Sequence, residues 1–111
     1  MTALTLDTGT TALVLIDLQK GVAGMATAPH VAAEVIARAA GLARRFRERG
    51  ATVVLVRVDP GRHGELMPRP EAVQMRPSIE FPAEWIELVP ELVQAPADVV
   101  VTKHQPNAFY A

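Results

Sequence analysis

Ala12-Leu13-Val14-Leu15-Ile16-Asp17 is the stretch on which the reading of this chain turns. A half-exposed strand would alternate apolar with polar side chains, so an unbroken apolar run reads as a strand buried on both faces. Thr52-Val53-Val54-Leu55-Val56-Arg57-Val58 and the run from Asp98 through Val99-Val100-Val101-Thr102 to Lys103 have the same texture. Between the first two, from about Pro29 to Arg49, Val31, Val35, Ile36, Ala39, Leu42, Ala43 and Phe46 recur at helical spacing and form one apolar stripe. Pro29 suits a first turn, and Arg38, Arg44, Arg45, Arg47 and Arg49 crowd the C-terminal half, where cations suit the helix dipole. That arginine run reads as a solvated face, and Gly50 is placed to close the helix. Strand, helix, strand with short joints is a βαβ unit, the building block of a parallel sheet.

The polar residues at the ends of these runs are the informative ones. In an open parallel sheet, ligands bind outside the carboxyl ends of the strands. Asp17 and Lys103 are therefore expected on one rim, an acid and a base aimed at one cleft. Taken singly, Asp17 is also compatible with a turn or cap residue and Lys103 with a solvated lysine. A phosphoaspartyl hydrolase would need Asp where Gln19 stands, and no Gly-rich loop ends in Lys-Ser or Lys-Thr. A receiver-type site would need an adjacent acidic pair, which the sequence lacks.

Composition narrows the classes further. The 111 residues fit one domain, 1–111, with 50% hydrophobic residues and a formal net charge of -1. There is no basic surplus for phosphate contacts, which argues against nucleic acid, and no apolar run approaches a ~20-residue membrane span. Met1 to Thr11 has no positive n-region, so the expectation is cytoplasmic. The chain contains no cysteine, which removes disulfides and thiolate chemistry of its own.

The remaining sequence reads as loop. Gln19 to Gly24 holds two glycines, and 59–97 holds Pro60, Pro68, Pro70, Pro77, Pro82, Pro90 and Pro96. A segment this long without regular structure tends to be a lid or binding loop. Only Ala83 to Gln94 looks helical, in two short turns broken by Pro90, with Trp85, Ile86, Leu88, Val89, Leu92 and Val93 turned inward. Burying Leu13, Val14, Leu15 and Ile16 is worth about 6–12 kcal/mol, similar to the whole stability of a domain. Two helical segments cannot cover both faces of such a sheet. The chain reads as the N-terminal part of a larger α/β domain.

At this point the residues resemble a known family. Ala12 to Gln19 is similar to the strand that carries the catalytic aspartate of the isochorismatase-like cysteine hydrolases. Val100-Val101-Thr102-Lys103, followed by Asn107-Ala108-Phe109-Tyr110, resembles that family's catalytic-lysine segment, where a Phe follows the Lys by six residues at the start of a helix. The resemblance implies a three-layer α/β/α fold with a parallel, doubly wound sheet, of which only the N-terminal strands are present. It implies an Asp-Lys-Cys triad in which Asp17 takes the thiol proton and Lys103 holds Asp17 charged. The cysteine follows a fourth strand outside this chain, so the chain on its own is expected to be inactive. The implied reaction is hydrolysis of an amide C–N bond or a vinyl ether in a small-molecule substrate, without a cofactor, in a homo-oligomer.

Gln19, Trp85 and Phe109 are the candidate substrate-binding residues. Each has a plainer reading: Gln19 as support for Asp17 or a loop cap, Trp85 as core beside Ile86, and Phe109 as a core anchor. Metal-dependent amidases of the family carry an Asp-His-His set after the second strand, and here Asp59 and His63 have no second suitable histidine, so no metal is expected. His30 and His104 are isolated. A noncatalytic relative, or a half-domain that acts as a binding or assembly module, remains the alternative.

Overall fold

The computed structural model describes residues 3–24, 30–66 and 80–109. Strands β1 (Ala12–Ile16), β2 (Thr52–Val58) and β3 (Val99–Lys103) form one sheet in the order β1-β2-β3, every pair parallel. Val14, Val54 and Val99 lie level across it, as do Ile16, Val56 and Val101. The apolar runs thus form the parallel sheet of an α/β fold.

Among the described residues, two helices lie between β1 and β2. Helix α1 (Lys20–Ala23) is a single turn, and α2 (Ala32–Glu48) lies over the sheet. Pro29, expected in the first turn of that helix, lies outside the described residues, as do Pro68, Pro70, Pro77 and Tyr110. The end of α2 follows the expectation for Gly50. Its φ is +73°, its N–H bonds the Arg47 carbonyl at 3.0 Å, and the next N–H, of Ala51, bonds Phe46 at 2.9 Å. This pairing satisfies carbonyls that the helix terminus would leave open, and the left-handed turn it needs suits glycine.

The core lies between α2 and one face of the sheet. Ile36, Ala39 and Ala43 of α2 pack with Val53, Leu55, Val89 and Leu92, and Leu13, Leu15 and Phe46 close in around them. The apolar stripe of α2 is narrower than its periodicity predicts, since Val31, Val35 and Leu42 are exposed on its flank. Small Ala39 and Ala43 sit against the sheet and let the helix approach closely. On the opposite face Val14, Ile16, Val99 and Val101 remain 37–46% exposed. One face is covered and one is open among the described residues.

Two sequence expectations need correction here. Gln19 to Gly24 is not all loop, because 20–23 makes the turn of α1. Its Lys20 N–H bonds the Glu87 carbonyl at 2.8 Å, and Lys20 Nζ pairs with Glu87 Oε2 at 2.7 Å. That hydrogen bond is the main cause of a raised Lys20 pKa, with the Glu87 charge second. Beyond β2, Ala83–Ile86 and Pro90–Leu92 form two separate 3₁₀ turns. Val89 and Leu92 point inward as expected, but Val93 is 72% exposed with φ +47°. Pro90 interrupts the helical phase, so the 3.6-residue period does not carry through to Val93.

Arg47 also departs from the solvated face. It donates to Asp98 through Nε at 3.1 Å and Nη2 at 2.6 Å, and to the Leu92 carbonyl through Nη1 at 2.9 Å. The Asp98 side chain is 2% exposed. Burial alone would raise its carboxyl, but the Arg47 hydrogen bonds, the Ala95 N–H and the Arg47 charge together hold it below the ordinary carboxylate value. This pair ties the end of α2 to the start of β3.

Candidate functional site

The carboxyl ends of the three strands converge on one rim. β1 makes its last backbone rung where the Asp17 N–H meets the Val56 carbonyl at 2.9 Å. There the chain turns through φ +64° at Asp17, a left-handed conformation that a residue with a Cβ rarely adopts. β3 ends at Lys103, whose register partner is Val58. Lys103 is buried, and its Nζ lies 3.3 Å from Asp17 Oδ1 and donates to the Pro106 carbonyl at 2.8 Å. Asp17 Oδ1 is buried and has no well-aligned hydrogen-bond partner among the described residues. The outcome is a carboxylate held against a buried ammonium, with the Asp17 side chain itself 36% exposed at the rim.

Gln19 sits directly behind this pair. It is fully buried; its Oε1 accepts from the Val58 N–H at 2.7 Å, and its Nε2 donates to the Val58 carbonyl at 2.9 Å and the Trp85 carbonyl at 3.3 Å. With no exposed surface, Gln19 turns its amide to the backbone.

Trp85 packs its indole over Gly21 and meets the Phe81 ring edge-on, with centroids 5.0 Å apart. Phe81 also lines a cavity of about 440 Å³ with Asp59, Arg62, Glu80, Pro82 and Ile86, a volume within the range of small-ligand pockets. Arg62 and Glu80 pair directly on its wall at 2.9 Å. Asp59 turns its Oδ1 to the Gly61 N–H at 2.9 Å, and its carbonyl lies 2.9 Å from His104 Nδ1. Among the described residues no cluster of three His, Cys, Asp or Glu is arranged to hold a metal ion. Phe109 is 80% exposed, so it is no core anchor within the described residues. Its N–H donates to Asn107 Oδ1 at 2.9 Å, the bond of an Asx turn.

The structure thus brings Asp17 and Lys103 together, sets Gln19 behind them and leaves Phe109 in solvent. Sequence reasoning missed the Val58 backbone as the anchor of Gln19, because a backbone group carries no sequence signature.

A parallel α/β sheet with an Asp–Lys pair on its carboxyl rim defines the class. Residues 11–111 match the family model of the isochorismatase domain, and the chain belongs to that family. It is 39% identical over 108 residues to the uncharacterized isochorismatase family protein YecD of Escherichia coli O157:H7, with 96% of this chain and 57% of that protein covered. It is 34% identical over 111 residues to the corresponding protein YwoC of Bacillus subtilis strain 168, at 99% and 57% coverage. An isochorismatase family protein from Burkholderia thailandensis superposes with a TM-score of 0.81 at 36% identity, covering 95% of this chain and 55% of that one. The chain therefore spans 57% of the length of the curated relatives it matches.

Proposed function

We propose that this chain carries the acid–base part of a cysteine hydrolase site acting on a small molecule, with Asp17 as general base and Lys103 as the cation that holds it. The observation that carries the reading is the 3.3 Å contact between Lys103 Nζ and Asp17 Oδ1 at the sheet rim. The nucleophilic thiol belongs to a cysteine outside these residues. Asp17 accepts the thiol proton as sulfur attacks an amide carbonyl, then returns it to the departing nitrogen. The resulting thioester is released by water, which Asp17 deprotonates in turn. A neutral thiol is a weak nucleophile near pH 7, so a positioned base is what the chemistry lacks without Asp17. A vinyl ether is the other bond class this reading admits. Trp85 and Phe109 are assigned to the substrate side of the cleft, and the protein to the cytoplasm as a homo-oligomer.

The test is Asp17→Asn in the natural full-length protein, assayed against a panel of small amides and vinyl ethers. The substitution keeps the shape and removes the base, so turnover falls by about 10²–10⁴-fold while circular dichroism is unchanged. Retained turnover overturns the assignment. The open apolar face of Val14, Ile16, Val99 and Val101 favours a second reading, a noncatalytic unit that completes its fold against other protein. A folded wild-type protein inactive against the whole panel is the outcome that reading expects.

A further inference from the structure

We infer that Gln19 is a positioning residue for the Asp17–Lys103 pair, an inference that rests on the proposed role of Asp17. In a regular parallel ladder, the rung after Asp17 N–H to Val56 carbonyl would join the Val58 N–H to the Asp17 carbonyl. The one after that would join the residue-19 N–H to the Val58 carbonyl. In this chain the Val58 N–H goes to Gln19 Oε1 at 2.7 Å and the Val58 carbonyl receives Gln19 Nε2 at 2.9 Å. The Gln19 side chain therefore takes over both rungs that the backbone gives up.

This substitution of side chain for backbone is what frees Asp17 to turn. The backbone at Asp17 is strained at φ +64°, and it is bracketed by the Asp17–Val56 rung before it and the Gln19–Val58 rungs after it. Val58 is also the register partner of Lys103, so the group that Gln19 grips lies beside the lysine across the sheet. Backbone bonds from the Val89 N–H to the Leu18 carbonyl at 3.0 Å and from the Lys20 N–H to the Glu87 carbonyl at 2.8 Å hold the chain on either side of Gln19. Its amide is what ties the turn at Asp17 to the strand against which the ammonium is placed. The third bond, to the Trp85 carbonyl at 3.3 Å, extends the same clamp to the aromatic side of the site. Gln19 is fully buried, which leaves it nothing to offer a substrate directly.

The experiment uses the natural full-length protein and two variants. Gln19→Met keeps the volume and removes both rungs; Gln19→Glu keeps the acceptor for the Val58 N–H but regains a donor for the Val58 carbonyl only when protonated. The first readout is NMR of the folded protein without substrate: the Asp17 amide–Hα coupling, which reports φ, and the proximity of Asp17 Hβ to Lys103 Hε protons. The expected result is that Gln19→Met abolishes the left-handed φ and the proximity, while Gln19→Glu restores them as pH falls. A folded Gln19→Met that keeps both overturns the inference, since a merely structural glutamine would lower stability and leave that geometry intact. Should Gln19→Met not fold, the pH dependence of Gln19→Glu decides alone, and a geometry independent of pH in that variant refutes the positioning role.

The second readout is kinetic, on a substrate found in the panel. A displaced base lowers kcat by about 10²-fold with little change in KM, the size associated with a 1 Å misplacement. Unchanged kcat in Gln19→Met beside an inactive Asp17→Asn rejects the role of Gln19 alone. An active Asp17→Asn rejects the function on which it rests, whatever Gln19 does.

Discussion

Replacing Arg47 by Met removes three hydrogen bonds at once: two to the Asp98 carboxylate and one to the Leu92 carbonyl. Asp98, 2% exposed, is left with the Ala95 N–H at 2.8 Å as the remaining donor to its carboxylate among the described residues. Breaking a buried pair by deleting one partner costs about 3–5 kcal/mol, because the surviving charge stays out of water. That is two to three and a half powers of ten in the folding equilibrium, out of a typical total of about 5–15 kcal/mol. The loss is read as the shift in urea midpoint at constant slope. A double variant, Arg47→Met with Asp98→Asn, recovers much of it, since the neutral amide keeps an acceptor for Ala95 and no longer strands a charge. The pH dependence has a definite sign. The folded Asp98 carboxyl lies below its ordinary value, so its contribution is full above about pH 3.9 and is lost as pH falls through the folded pKa. The gap between wild type and Arg47→Met therefore narrows on acidification below that point. A gap under about 1 kcal/mol at pH 7, the size of an exposed pair, or a gap that does not move with acid, refutes the reasoning.

Two further outcomes follow from local geometry. A Cβ at residue 21 would fall on the Trp85 ring, so Gly21→Ala displaces the indole at about 1–3 kcal/mol, the usual cost of overpacking. Trp85 is the chain's single tryptophan, and its emission shifts to the red as it leaves its packing; an unchanged spectrum and midpoint would contradict the packing described. Val93 holds φ +47° while 72% exposed, a strain of about 1–2 kcal/mol for a side chain that buries little. Val93→Asn, better suited to that conformation, raises the thermal midpoint by a few degrees, and a lower midpoint counts against the strain.

The parts of this fold that were legible in sequence are those written in local pattern. β2 runs over Thr52–Val58 as the apolar run marks it, and Gly50 closes α2 where it stands. Asp17 and Lys103 end their strands at one rim because parallel strands bring like ends together, which needs no knowledge of side-chain contacts. What stayed hidden depends on partners distant in sequence. The turn of α1 is held by Glu87 and shaped by Trp85, 64 residues beyond Gly21 (85 minus 21). Arg47 looked like one more exposed arginine because its acceptors, Asp98 and the Leu92 carbonyl, lie 51 and 45 residues away. Gln19 was recognisable as a polar residue near the acid, but whether it faced a ligand or the Val58 backbone was decided by the left-handed turn at Asp17. No residue type announces that turn.

The open edge of β1 bears on how the site would be completed. Among the described residues β1 and β3 are the outer strands and β2 is enclosed. A further parallel strand would join at β1 or at β3, and neighbouring strands lie about 4.8 Å apart. Joined at β1, it would end beside Asp17; joined at β3, it would end beside Lys103 and be separated from Asp17 by β2 and β3. A thiol must stand within proton-transfer reach of its base, about 2.6–3.2 Å or one water away. Lys103 spans β2 to reach Asp17 at 3.3 Å only because its side chain is long. On the proposed mechanism the short cysteine side chain therefore fits a strand at the β1 edge. Helices packed beyond that strand would lie against Val14 and Ile16, the apolar residues of β1 left 37% and 41% exposed. The same addition would then supply the thiol and cover the β1 part of the open face.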